Sequence, residues 1–125
     1  MAPLTWLITG VSSGLGRFLT LHVLARGHRV IGTVRSRAKS ADTVIEIEEA
    51  GGKILELDMN DVAAVADIIA STSKIYSTID VVVNNAGYSL IGAVEDIKYE
   101  VFSFLALCSI LYPSKVALTP YESFC

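Results

Sequence analysis

Residues 9–16 read TGVSSGLG, with glycines at 10, 14 and 16 set between two apolar stretches of different character. Residues 4–9 (LTWLIT) form a short apolar run of strand length, whereas residues 15–26 are apolar around most of a helical circumference and stop at Gly27. A turn from a strand into a helix gathers unpaired N–H groups at the partly positive helix N-terminus. An anion such as a dinucleotide's pyrophosphate binds there when no Cβ obstructs its approach, and Gly10, Gly14 and Gly16 remove that obstruction. Ser12 and Ser13 have two readings: hydroxyl donors to the same anion, or residues suited to a tight turn and a helix N-cap.

Outward from this loop the pattern repeats. Residues 29–34 (RVIGTV) give a second strand, and a helix is expected from about residue 42 to 50, closed by Gly51 and Gly52. Residues 53–57 (KILEL) give a third strand, and Asp61 opens a helix that sets Val62, Val65, Ile69, Thr72 and Tyr76 on one face. Residues 79–83 give a fourth strand. Strands alternating with helices predict a parallel sheet with right-handed crossovers, and nearly continuous apolar strands fit a sheet covered on both faces.

Composition narrows the functional classes. The chain has 125 residues, 52% hydrophobic and 18% charged, with a formal net charge of -3. This is the balance of a soluble α/β domain, and the dispersed basic residues argue against nucleic-acid binding. Only Arg35, Arg37 and Lys39 cluster, and they need a local explanation. The start, MAPLTWLITG, lacks a basic region or cleavage-like site, so it reads as a strand and a cytoplasmic protein is expected. The apolar run 101–112 is shorter than the roughly 20 residues that cross a bilayer, so no transmembrane span is expected. Cys108 and Cys125 have no metal-ligand spacing and read as free thiols; no metal site is expected. His22 and His28 flank the first helix's end and read as helix-end or surface residues.

The loop's TGxxxGxG spacing, in a strand-turn-helix context, resembles the short-chain dehydrogenase/reductase family. Asp58 after the third strand (LELDMND) and the tetrad Asn84, Asn85, Ala86, Gly87 after the fourth follow in that family's order. The resemblance implies a Rossmann-type, doubly wound parallel sheet, here its N-terminal half of about four strands with flanking helices. It also implies an oxidoreductase acting on an alcohol or carbonyl with a nicotinamide cofactor. By the same resemblance Gly10, Gly14 and Gly16 surround the pyrophosphate, Asp58 accepts from the adenine amino group, and Asn84, Ala86 and Gly87 lie beside the adenosine ribose. Asp58 also reads as a helix N-cap, and Asn84 as a structural amide tying adjacent strands.

Cofactor choice turns on the end of the second strand, where an acid roughly 20 residues past the loop would bind the ribose 2′-OH of NAD. Arg35 stands there instead, and a guanidinium pairs with a 2′-phosphate, which favours NADP over NAD; a solvated surface arginine is the other reading.

For catalysis the family uses a Tyr-x-x-x-Lys pair and a serine. The stretch YPSKVALTPYESF resembles that helix and offers Tyr112 and Lys115 as the catalytic pair, yet they are three apart rather than four. At roughly 100° per residue that spacing sets the lysine on the other side of the tyrosine. Only residues 88–111 separate the tetrad from Tyr112, too few for the family's helix, strand and serine, and Ser109 does not take the serine's role. Residues 1–100 are expected to form the NAD(P)-binding domain and 101–125 a divergent, helical tail. The chain thus reads as a truncated family member with doubtful turnover. The alternative is a non-catalytic fragment that binds cofactor or pairs with a full-length paralogue, and a homo-oligomer is also compatible with the uncovered sheet edge.

Overall fold

A computed structural model describes residues 2–87 of the chain, and the expected tail helix, Cys108, Ser109, Tyr112, Lys115 and Cys125 lie outside the described residues. Four strands, β1 (Thr5–Thr9), β2 (Arg29–Val34), β3 (Lys53–Glu56) and β4 (Val81–Val83), alternate with helices α1 (Gly14–Ala25), α2 (Ala41–Glu49) and α3 (Val62–Ile75). The strands are all parallel in the order β3-β2-β1-β4, with Ile8 beside Gly32, Gly32 beside Ile54 and Leu7 beside Val82. The order reverses between β1 and β4: the chain builds outward from β1 through β2 to β3, then crosses to β1's other side. In open parallel sheets a crevice forms at such a switch, beyond the strands' carboxyl ends.

The glycines that end α1 and α2 do the same work in the same way. At Gly27 (φ 81) and Gly51 (φ 94) the chain turns left-handed, a conformation nearly free of penalty only for glycine. The amides that follow then reach back: His28 to the Val23 carbonyl and Gly27 to Leu24, Gly52 to Ile47 and Gly51 to Glu48. Both ends are Schellman motifs, which satisfy carbonyls the helix leaves open. They aim each chain directly into the next strand. His28 follows the first of them and its Nδ1 accepts from the Leu4 amide, which bears out its place at a helix end.

Packing is uneven on the two faces. Ile8, Val11, Val23, Val30, Val34, Val44, Ile47 and Ile54 are buried in one cluster with α1 and α2, whereas the cluster under α3 has Leu57 and Val65 as its buried residues. The expected α3 stripe is met at Val65 and Thr72, which are buried, while Tyr76 lies past the helix in extended backbone. Asp61 caps α3, its side chain accepting from the Ala64 amide at 3.2 Å. Helix α1 meets the sheet through a narrower stripe than its composition implies. Gly16, Thr20 and Val23 are buried, yet Leu15 and Phe18 remain 73% and 68% exposed. Spacing by four and three residues sets that stripe, and an apolar side chain off it stays in solvent. Among the described residues no helix is long and apolar enough to cross a membrane.

Candidate functional site

The carboxyl ends of β1, β2, β3 and β4 converge on a cleft of ≈ 430 Å³, within the range of small-molecule sites. One wall is the turn from β1 into α1, where Gly10, Ser12, Ser13 and Gly14 face the opening. Opposite lie Arg35 from the end of β2, Asp58 from the turn after β3, and Ala86 and Gly87 after β4. Residues that are distant in sequence, drawn from four connections, thus share one opening because parallel strands all end on the same side.

The three glycines of the turn have separate physical roles. At Gly14 the backbone is left-handed (φ 57) and an added Cβ would meet nothing within 4 Å, so this position faces open space. The backbone there is open to the cleft. At Gly10 a Cβ would stand 2.7 Å from the Ala86 Cα, and at Gly16 it would overlap the Gly10 carbonyl and the Asn85 amide nitrogen. Gly16 is buried, and its missing Cβ lets the helix pack closely against the strand turn.

Ser13 stands at the N-cap of α1 but its side chain makes no cap hydrogen bond, and the first turn of the helix has no acidic residue. The N-cap alternative for Ser13 is therefore unused. Its hydroxyl is exposed beside the N-terminus of α1, where the first-turn N–H groups have no partner within the helix. Ser12 contributes differently, its carbonyl accepting from the Thr43 hydroxyl of α2 at 3.1 Å.

The two turns on either side of the switch point are knotted together. The Thr9 hydroxyl accepts from the amides of Asn85 and Ala86, both at 3.1 Å. The Asn85 side-chain amide returns the connection, donating to the carbonyls of Thr9 at 3.1 Å and Gly10 at 3.0 Å. Two side chains thus satisfy five backbone groups if the Thr9 hydroxyl's 3.4 Å bond to the Val83 carbonyl is included. The structural amide expected at Asn84 is Asn85; Asn84 is exposed and does not line the cleft. Thr9 and Asn85 both stand inside the two motifs, and their signal was the polar residue at a strand's end, where backbone groups run out of ladder partners.

Asp58 is exposed at the cleft's edge, and its Oδ1 accepts from the Asn60 amide at 2.9 Å and side chain at 3.0 Å. It shapes an Asx turn, and the N-cap role belongs to Asp61. Its other carboxylate oxygen has no partner among the described residues. Arg35 is exposed and lines the cleft, and among the described residues it makes no ion pair or side-chain hydrogen bond. Arg37, two residues on, is fully engaged: its guanidinium donates to Glu48 at 2.8 Å and to the Ile54 carbonyl at 2.9 Å. The basic cluster of the sequence therefore separates into one committed arginine, Arg37, and two residues with no side-chain partner among the described residues, Arg35 and Lys39, of which Arg35 lines the cleft. On α1, a bidentate pair with Glu46 at 2.6 and 2.7 Å keeps Arg17 protonated above its ordinary range and ties α1 to α2. Among the described residues no group of His, Cys, Asp and Glu could hold a metal ion.

The comparisons with known proteins agree with this geometry. The short chain dehydrogenase family model matches residues 5–110. Oxidoreductase claN of Passalora fulva is 44% identical over 93 residues, covering 74% of this chain and 42% of that protein. The NADP-dependent 3-hydroxy acid dehydrogenase YdfG of Shigella flexneri is 34% identical over 84 residues, covering 67% of this chain and 34% of its own. A short-chain dehydrogenase structure from Streptomyces avermitilis superimposes with a TM-score of 0.87 at 28% identity, over 98% of this chain and 45% of that one. The chain spans less than half the length of each protein it matches here. Its parallel sheet, its glycine turn and the matched residues together make it a member of the short chain dehydrogenase family, whose oxidoreductases use nicotinamide cofactors.

Proposed function

We propose that this chain forms the cofactor-binding part of an NADP(H)-dependent oxidoreductase that acts on an alcohol or carbonyl substrate. The observation that carries this reading is the state of Arg35: exposed, lining the cleft, at the end of β2, with no partner among the described residues. A guanidinium there pairs with a 2′-phosphate in bidentate, charge-assisted fashion, and gains much less from a neutral 2′-hydroxyl. YdfG, by its name an NADP-dependent dehydrogenase of a hydroxy acid, supports both halves of the proposal.

The fit extends along the cleft. The open backbone at Gly14, the Ser13 hydroxyl and the N-terminus of α1 would hold the pyrophosphate. Asp58, with one carboxylate oxygen unpartnered among the described residues, would accept from the adenine amino group, and Ala86 and Gly87 would border the ribose. A bound nicotinamide supplies or accepts a hydride. Tyr112 and Lys115 are the candidates for the proton-transfer pair, and their three-residue spacing leads us to expect little or no turnover from this chain alone.

Calorimetric titration with NADPH and NADH tests the cofactor reading. Tighter NADPH binding that Arg35→Asp abolishes or inverts is the expected result; equal affinities for the two in the unaltered chain would remove it. For the chemistry, NADPH oxidation with a panel of ketones and aldehydes is expected to stay near background. A robust rate lost in Tyr112→Phe would show instead that the tyrosine works at its present spacing.

A further inference from the structure

We propose that Arg37 is a positioning residue for 2′-phosphate recognition: it fixes the β2–α2 connection so that Arg35 stands unpaired in the cleft. The inference rests on the NADP(H) reading above and deepens it by naming how the selective cation is kept available.

Three bonds radiate from Arg37 to two different elements. Its guanidinium donates to Glu48 of α2 at 2.8 Å and to the Ile54 carbonyl of β3 at 2.9 Å, and its backbone amide donates to the Glu56 carboxylate of β3 at 2.9 Å. Arginine's planar fork can serve two acceptors at once, which a lysine's point charge does not do with the same geometry. A connection held at its third residue on two sides has little freedom at its first. Arg35 is that first residue.

The same bonds have an electrostatic consequence. The guanidinium engages Glu48, and without it that carboxylate would be an alternative partner for Arg35, drawing its guanidinium away from the cleft. Glu56 is held by the Arg37 backbone amide, a bond that a change of side chain leaves in place. Arg37 is therefore expected to act in two ways on one outcome, by restraining the backbone and by engaging Glu48. Half-exposed ion pairs of this kind contribute little to folding, so its removal should leave the sheet intact.

The experiment uses the full chain and two fragments that occupy the adenosine end alone, 2′,5′-ADP and 5′-AMP, in calorimetric titrations. Arg37→Met keeps the aliphatic stem and removes the fork. It is expected to weaken 2′,5′-ADP binding by roughly three- to tenfold, the effect of one or two lost hydrogen bonds, while 5′-AMP changes by less than about twofold. The Arg35→Met, Arg37→Met double variant should bind 2′,5′-ADP no more weakly than Arg35→Met, because Arg37 acts through Arg35. If Arg37 instead touched the phosphate itself, the double variant would lose the sum of both effects. That result overturns the positioning role. In the chain without ligand, Arg37→Met should speed amide exchange across residues 35–39 and leave α1 unchanged; unaltered exchange there also overturns it. A wild-type chain that binds the two fragments equally would overturn the NADP(H) reading itself. A preference for 2′,5′-ADP lost in Arg35→Met but retained in Arg37→Met would overturn only the present inference.

Discussion

The two ends of the cleft are built on different principles. At the glycine turn the features that hold the structure are backbone groups and partly or fully buried side chains: Gly16 against the Gly10 carbonyl, and Thr9 and Asn85 bridging two turns through bonds to backbone groups. At the adenosine end they are exposed side chains, Arg35 and Asp58, standing on connections whose fixed points lie elsewhere. Burial couples the first end to the stability of the whole sheet. Exposure leaves the second free to vary in charge without disturbing the fold, which is where a family can change its cofactor preference at small structural cost.

The sharpest way to break this comparison is to place a branched side chain where the glycine turn has no room. Gly16→Val would drive atoms into the Gly10 carbonyl, which is backbone, and the Asn85 side-chain amide, which two hydrogen bonds hold in place. Overpacking of this kind costs roughly 1–3 kcal/mol or more, a large part of a small domain's stability. Both thermal stability and cofactor binding should fall together. A variant that melts like the parent would mean that the turn yields easily and that its burial is not structural.

Asn85→Ala removes the donor to two carbonyls without adding bulk. Unpaired, partly buried acceptors cost on the order of 1–3 kcal/mol each, and with water able to reach some of them a total of roughly 2 kcal/mol is expected. The melting midpoint should drop by several degrees, since about 1 kcal/mol corresponds to roughly 4–8 °C in a domain of this size. Asn84→Ala is the control, and a drop as large from it would reverse the assignment of the structural amide.

Gly14→Ala separates binding from folding at the same turn. Its left-handed backbone makes alanine cost roughly 1–2 kcal/mol, yet no atom stands in the new methyl's way within the chain. Cofactor affinity should fall further than stability does, because the methyl occupies the approach of the phosphate. Equal losses in the two would reduce Gly14 to a turn residue.

The smallest effect belongs to the adenosine end. Asp58→Ala should change folding stability by about 0.5 kcal/mol or less, as an exposed Asx turn is lost, and weaken binding of an adenine nucleotide only severalfold. Titration of 5′-AMP against 5′-IMP, whose base hypoxanthine lacks the amino group, checks the contact. The two nucleotides should bind alike once the carboxylate is gone, and a retained preference for adenine would place its recognition on another group.

How much of this was legible in the sequence depends on whether a feature is local. The alternation of strands and helices, the Schellman glycines at 27 and 51 and the cap at Asp61 follow from short-range pattern and were read with errors of a residue or two at the ends. Leu15 and Phe18 were not distinguishable from the core-facing positions of α1, because a helix that is apolar on several sides does not declare which side meets the sheet. Likewise three basic residues in five positions looked equivalent. Only the fold shows that Glu48, Glu56 and Ile54 engage Arg37 and leave Arg35 facing the cleft.

By itself, then, the order of residues determined the parallel α/β architecture, the glycine turn over a helix N-terminus and the family to which they belong, since each rests on spacing along the chain. Tertiary structure decided the division of labour within those motifs: Gly14 open and Gly16 packed, and Asn85 rather than Asn84 as the bridging amide. The physical reason is that these roles depend on which groups meet across 20 to 80 residues of intervening chain. A donor and its acceptor in that position are chosen by the crossing of β3 to β4 on the far side of β1, not by anything in their neighbours in sequence.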